Sequence, residues 1–546
     1  MYADLKSHSK REGGIMGSKQ GWGKKGRGAL ALRVLLATIV GVALGSVVQT
    51  QLNLAELQAL GVAIPLGTRL STTAQDLLHF APVYAGLFLV GFLISQAVAG
   101  WLARRWPASL RRLAFALAAV AGLWLTFRLT NTFAPMPTLV AATRSAGGLA
   151  AMLATAAVAG WLLAVLTCSA SNRRRSNAPL AIVLSTFMLP VIQPAAEAQT
   201  AYQIDTLADA LEHPWSLAFL PDGRFLVTER PGRLLLLDDS GQTLADLEGV
   251  PEVFASGQSG LFDVLLSPRF ETNQQLYLSY VCGTASANHT CLARATLGDG
   301  RLEQVEEIFR VHPAKRGDAH YGGRLAWLPD DTLILTLGDG FDNREDAQRV
   351  SSHIGSIVRL NADGSVPDDN PFLARADALP ELYSIGHRNV QGLVYDAQRQ
   401  QLIAHEHGPR GGDELNLIQP GNNYGWPIAT GGLDYTWARV SPFTEYPGMQ
   451  PPALEWTPSI APSGMAVYRG ELFPEWQGDL LVGALVNREV RRVRWQEDGS
   501  AEDVEGLFGE LDARIRDVRV GPEGAVYLLT DSPQGKLVRV TPSEPQ

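Results

Sequence analysis

The sequence predicts an all-β six-bladed β-propeller preceded by an α-helical transmembrane domain. Three features carry that expectation. Residues 1–200 hold five apolar stretches and 18 Lys+Arg against 5 Asp+Glu, whereas the rest of the 546 residues holds 28 against 50. The apolar spacing changes near residue 200 from helical runs to alternation. A strand unit then recurs six times.

Taken in order, residues 1–28 are basic (Lys19, Lys24, Lys25, Arg27), glycine-rich and expected to be disordered. Residues 29–198 form the helical membrane part, with apolar stretches at 29–48, 77–102, 113–128, 147–168 and 178–195. A span needs roughly 20 apolar residues, so the first, second and fourth qualify easily and the others lie near the lower limit. Basic clusters at the N-terminus, at Arg104, Arg105, Arg111 and Arg112, and at Arg173–Arg175 all fall cytoplasmic if the N-terminus is inside. The last stretch then exits outward. This orientation implies an inner-membrane protein whose second part lies in the periplasm. The fifth stretch also resembles a signal sequence, ending in an Ala196-x-Ala198 cleavage pattern; retention, which tethers the second part, is the preferred reading. His79 and Arg128 at span edges are read as structural, and Gly86, Gly91 and Gly100 as helix-packing positions.

Residues 200–546 repeat one unit: alternating apolar residues, a Pro-Asp-Gly-like turn, then an apolar run. Copies begin at Trp215, Gly260, Gly323, Gln391, Gly464 and Arg516. Each reads as a hairpin unable to bury both faces alone, and six such sheets suggest six blades around an axis. The acidic balance argues against nucleic-acid binding. Cys282 and Cys291 flank a hairpin loop and suit a disulfide outside the cytoplasm, two unpaired thiols being the alternative.

Polar groups cluster where repeat units begin. His320 stands before Gly322-Gly323, with the glycines leaving room beside it; it suits a general base, or a turn histidine bonded to backbone. Gln258 lies in Ser256-Gly257-Gln258-Ser259, Arg388 and Asn389 in Gly386-His387-Arg388-Asn389, and Arg514 and Arg516 in Ala513-Arg514-Ile515-Arg516. Gly408 and Pro409 form a turn in His405-Glu406-His407-Gly408-Pro409, ahead of Asp413, Glu414 and Tyr424.

Over residues 200–546 these motifs and their order resemble the pyrroloquinoline quinone (PQQ) dependent glucose and aldose dehydrogenases, the glucose/sorbosone dehydrogenase family. The resemblance implies PQQ and Ca²⁺ as cofactors and an aldose oxidised at its C1 hydroxyl to a lactone. His320 becomes the base and Arg388 the cation beside the reacting quinone carbonyl. Gln258, His320, Arg388, Asn389, Ser459, Arg514 and Arg516 become the cofactor contacts. Arg514 and Arg516 alternate on one strand, so two planar guanidinium forks face one way towards carboxylates. The Gly408 and Pro409 carbonyls would hold one calcium, a hard cation suited to oxygen, and Glu414 and Tyr424, with Asp413, a second. Electrons would pass to ubiquinone or another acceptor.

Two positions depart from the family pattern. Ala319 stands where glucose enzymes carry aspartate, and the strand Leu480-Leu481-Val482 is followed by apolar residues where a cofactor-contacting lysine is expected. One cation is therefore missing. A calcium-dependent sugar lactonase and a non-catalytic binding propeller are the alternatives.

Overall fold

The computed structural model describes residues 20–133, 138–168 and 201–543. The segment before residue 20, the stretch at 178–195 and the Ala196-x-Ala198 pattern lie outside the described residues. The chain divides into two compact units.

Of the described residues, the first unit takes 20–45, 84–128 and 150–168. It is built from parts of four helices, α1 (Gln20–Ala59), α2 (Leu66–Leu102), α3 (Ala108–Phe133) and α4 (Ala146–Cys168). Segments of all four are long and apolar enough to cross a membrane: Gly28–Ala59, Leu66–Arg105, Ala108–Phe133 and Ala146–Thr167. The first turns of α1 fall inside the stretch expected to be disordered. A Cβ on Gly91 would lie 2.5 Å from the Gly122 carbonyl oxygen, so glycine is what lets α2 and α3 touch. Gly86 faces open space and Gly100 meets only Phe115. The close approach therefore rests on Gly91 with Gly122. Arg128 lies over the Trp124 ring at 5.5 Å, in keeping with a structural role.

The second unit comprises residues 46–83, 129–149 and 184–546. Its main body is six four-stranded antiparallel sheets. The twenty-four strands are numbered in chain order from β1 (Tyr202–Leu211) to β24 (Gly535–Pro542). The first strands of the blades are β2 (Pro214–Phe219), β6 (Leu261–Leu266), β10 (Gly322–Trp327), β14 (Val390–Asp396), β18 (Pro462–Val467) and β22 (Ile515–Val520). These coincide with the six repeats, and they pack side by side around the axis. The second strands, such as β3 (Phe225–Glu229) and β11 (Leu333–Leu337), are buried along their whole length. Neighbouring blades cover both faces of each sheet, which is why these strands read as continuous apolar runs. The ring closes through β1, which pairs antiparallel with β24 in the last blade.

A polar core runs between the first strands. Arg324 bridges Asp517 at 2.9 Å and lies over Trp215 at 4.0 Å, and Arg519 joins Asp263 and Asp517 at 3.0 and 2.8 Å. Buried charges persist only when paired in this way. Cys282 and Cys291 are joined as a disulfide, resolving the choice left open by the sequence.

Two short stretches from the helical part belong to this second unit. Leu54, Leu57 and Val62 pack with Ile428 in one buried cluster that also takes in Phe443, Tyr446 and Met449. The sequence ended the first apolar stretch at residue 48, yet α1 continues to Ala59. Its later turns, rich in Gln, Leu, Ala and Glu, are good helix formers although their hydropathy falls.

Candidate active site

The loops that lead into the first strands gather at one end of the axis and line a cavity of about 270 Å³. Gln258 precedes β6, Asn389 precedes β14, and Arg514 and Arg516 stand at the start of β22; all four line this cavity. Trp215, Phe262 and Tyr321 add flat apolar surface. The arrangement suits a planar, anionic molecule held by guanidinium forks against aromatic faces.

His320 lies behind this wall, 3 % exposed. Its backbone N–H donates to Gln258 Oε1 at 2.9 Å, which joins it to the cavity lining. Its φ is +53°, a strained conformation for a residue with a Cβ. Gly322 and Gly323 follow in the left-handed region. A Cβ on Gly322 would lie 2.6 Å from Leu337 Cα, and one on Gly323 would lie 2.7 Å from the Phe262 ring. The Cβ directions of both glycines are taken by protein, so glycine lets the strand pass close to its neighbours, and Gly322 also lines the cavity.

The ring of His320 is fixed on two sides. Nδ1 lies 2.6 Å from Asp339 Oδ1, and Phe341 packs on the ring with centroids 4.5 Å apart. Asp339 is fully buried and saturated: Oδ1 also accepts from the Phe341 N–H at 2.8 Å, and Oδ2 accepts from Trp426 Nε1 at 2.8 Å. Burial and the Arg388 charge hold His320 down to about 4, against the opposing pull of Asp339. Asp339 itself is held below the ordinary carboxylate range, because His320 and Arg388 outweigh the effect of its burial. The imidazole is thus neutral at physiological pH. With Nδ1–H directed at Asp339, Nε2 carries the lone pair.

Arg388, 4 % exposed, donates through Nη1 to the His407 and Gly408 carbonyls at 2.9 and 2.7 Å. It lines a second, narrower cleft with Pro409, Phe341 and Trp426, whereas His407, whose carbonyl it bonds, lines the first cavity. Glu414 and Tyr424 share a third cavity, of about 360 Å³, bordered by residues 444–452. Burial and the neighbouring Glu406 push Glu414 well above its usual range, a state that a bound cation would relieve. Asp413 does not face it. Its Oδ1 accepts from the Gly408 N–H at 2.8 Å, and its Oδ2 accepts from Ser459 Oγ, Ile460 N and Ala461 N at 2.7, 2.8 and 2.9 Å. Ser459 is thereby directed to Asp413, while its neighbour Ala461 lines the main cavity.

Sequence reasoning missed three residues here. Arg230, at the Pro-Gly turn after β3, lines the cavity beside Arg514 and Arg516 and supplies a third guanidinium. Asp531 lies between them, 2.9 Å from Arg516 and 3.4 Å from Arg514. Asp339 stands in Gly338-Asp339-Gly340, directly after β11. Its signal was hairpin register: Gly322 pairs with Leu337, so two residues further out His320 comes level with Asp339.

Three histidines are buried in the neutral form. Burial holds His320 at about 4 and His405 at about 3, and holds His407 well below its ordinary value. The unfolded chain binds protons at these groups below about pH 6.5, whereas the folded chain does not. The contribution of these rings to stability is therefore complete above that pH and falls as the pH drops towards 4, by roughly 1.4 kcal/mol per pH unit for each histidine, while the raised Glu414 acts in the opposite sense. Urea midpoints measured between pH 4.5 and 8 in a Glu414→Gln variant, which removes that opposing group, should rise with pH and level off near 7; a flat profile there would mean that these rings take up protons in the folded state.

The family profile described as Glucose / Sorbosone dehydrogenase matches residues 211–539. The aldose sugar dehydrogenase YliI of Escherichia coli is 38 % identical over 66 % of this chain and 98 % of its own length. The quinoprotein glucose dehydrogenase B of Acinetobacter calcoaceticus is 28 % identical over 59 % of this chain and 84 % of its own. Among solved structures, the PQQ-bound aldose sugar dehydrogenase of Streptomyces coelicolor is 30 % identical. It superimposes with a TM-score of 0.52 over 63 % of this chain and 100 % of its own.

Proposed function

This chain belongs to the glucose/sorbosone dehydrogenase family, and on that premise we propose that it is a membrane-tethered, PQQ-dependent dehydrogenase oxidising aldoses at C1 to lactones. The observation that carries the proposal is the joining of two parts. Arg230, Arg514 and Arg516 face one cavity with Gln258 and Asn389, and Gln258 is bonded to the base candidate His320.

PQQ fits this donor set. It brings three carboxylates, and the cavity brings three guanidiniums partly balanced by Asp531. Arg230 offsets the missing lysine, whose place is taken by the apolar Leu485 and Val486 on the same cavity wall. The Gly408 and Pro409 carbonyls suit calcium, because a carbonyl oxygen has two lone pairs and Arg388 uses one at Gly408. Glu414 and Tyr424 are the candidates for the second ion. The Tyr424 hydroxyl is already committed, donating to the Leu417 carbonyl at 2.6 Å, which leaves Glu414 as the charged ligand.

When bound, PQQ supplies the two-electron acceptor. The chain supplies the proton chemistry: His320 Nε2 takes the hydroxyl proton of the sugar, and Asp339 stabilises the imidazolium that results. Arg388 places a fixed guanidinium where negative charge develops. The apolar helices serve as an anchor in the inner membrane, with the propeller on the periplasmic side and a membrane quinone such as ubiquinone as acceptor.

PQQ with calcium should raise the melting temperature of the protein and allow dye reduction with a panel of aldoses. Lactone hydrolysis without PQQ would instead support the lactonase alternative, and absence of any PQQ effect the binding propeller. Arg230→Met and Arg516→Met should each weaken PQQ binding about 10–100-fold, since a hydrogen bond to a charged group contributes roughly 1.5–3 kcal/mol. Titration followed by cofactor absorbance checks this, and an unchanged Kd in Arg230→Met would remove that residue from the site.

A further inference from the structure

The loop between β11 and β12 (Ser356–Leu360) carries Asp339 and Phe341, the two groups that fix the His320 ring. Its far side is held by residues from outside the propeller that belong to the same compact unit. Arg144, between α3 and α4, grips Glu345 with both terminal nitrogens, at 2.8 and 3.1 Å, and also donates to the Asp342 carbonyl at 3.1 Å. Thr138 Oγ1 donates to Asp342 Oδ2 at 2.7 Å. On α1, Asn53 accepts from Arg344 through Oδ1 and donates through Nδ2 to the Arg439 and Val440 carbonyls at 2.9 and 2.8 Å. These carbonyls lie in the connection that also bears Trp426, one of the three donors to Asp339.

The clamp is polar and largely buried. Side chains of Arg144 and Glu345 are 16 % and 15 % exposed, and that of Arg344 is 7 % exposed. Although burial opposes it, the two guanidiniums hold Glu345 at about 2, so the grip stays charged across the physiological range. Thr138, Ala141 and Arg144 also line the same cleft as Arg388, Phe341 and Trp426. None of these helical-part residues falls within 211–539, where the family profile matches.

We propose that Arg144, Thr138 and Asn53 are positioning residues for the dehydrogenase, holding the 338–355 loop so that Asp339 and Phe341 keep the His320 ring aligned. The proposal rests on the dehydrogenase reading for its catalytic consequence, but not for the mechanical one. In this chain the helical part does more than anchor. Residues 46–83 and 129–149 complete a scaffold on which the base depends, and a propeller without them loses that support.

The test uses the full chain with Arg144→Ala, Arg144→Lys and the milder Thr138→Val. Arg359→Ala is the control, since Arg359 forms ion pairs of 2.6 and 2.7 Å with Asp330 and Asp369 on the same blade, outside the loop. Hydrogen exchange of amides 338–348 should speed up about tenfold in Arg144→Ala, with β11 and β12 unchanged. With PQQ and an aldose, kcat should fall about tenfold while KM stays within twofold. Arg144→Lys should recover most of the rate, Thr138→Val should lose two- to threefold, and Arg359→Ala should keep the wild-type rate. Unchanged exchange in Arg144→Ala overturns the tether whatever the reaction proves to be. A wild-type kcat in that variant, or an equal loss in Arg359→Ala, overturns the positioning role. Absence of PQQ-dependent oxidation in the wild type counts against the functional reading alone, because the exchange measurement needs no turnover.

Discussion

Replacing His320 with alanine is expected to lower kcat for aldose oxidation by about 10²–10⁴-fold, the usual contribution of a positioned general base, while PQQ still binds. The two effects separate because the residues lining the main cavity are Gln258, Asn389 and the three arginines, with the His320 ring behind them. Cofactor titration should give a Kd within a few-fold of wild type. Turnover is what disappears. The variant also relieves a left-handed backbone of φ +53° only in part, since alanine retains the Cβ that disfavours it. No large gain in melting temperature is expected. Persistent turnover in His320→Ala would assign the base elsewhere.

Asp339→Asn should cost about 10²–10³-fold in kcat, by a different route. Asp339 receives three donors: the His320 ring, the Phe341 N–H and Trp426 Nε1. An asparagine amide cannot accept all three. If its NH₂ group faces His320, the ring must accept at Nδ1, and Nε2 then carries the proton and cannot serve as base. The pH profile provides a second readout. Asp339 is the charge that raises the His320 pKa against burial and Arg388. Its loss therefore lowers that pKa further, moving the acid limb of kcat/KM downwards from about pH 4. A variant with kcat within threefold of wild type would deny Asp339 its orienting role.

The blades were legible because the repeated unit is also the structural unit. Every copy found in the sequence became the first strand and turn of a blade. Positions at the starts of those strands converge, since the fold brings strand entries to one axial end; Gln258, Asn389, Arg514 and Arg516 follow that rule. Arg230 escaped notice because it follows a second strand, outside the repeated motif. Asp339 lies on a second-strand exit as well, visible only once the β10–β11 register is known. Ser459 and Asp413 read as site chemistry in their motif, yet they bond to one another at 2.7 Å and brace the turn that carries Gly408.

By itself the sequence determined the six blades, the apolar helices that precede them, and the residue types assembled at the propeller mouth. These depend on period, charge balance and motif order, all of which are local in the chain. Tertiary structure alone decided which carboxylate bonds to His320, that Arg230 joins Arg514 and Arg516 at one cavity, and that Arg144 and Asn53 reach the loop between β11 and β12. Those pairings join residues 19 to 291 positions apart. Such contacts follow from which surfaces pack, and no local pattern of side chains encodes them.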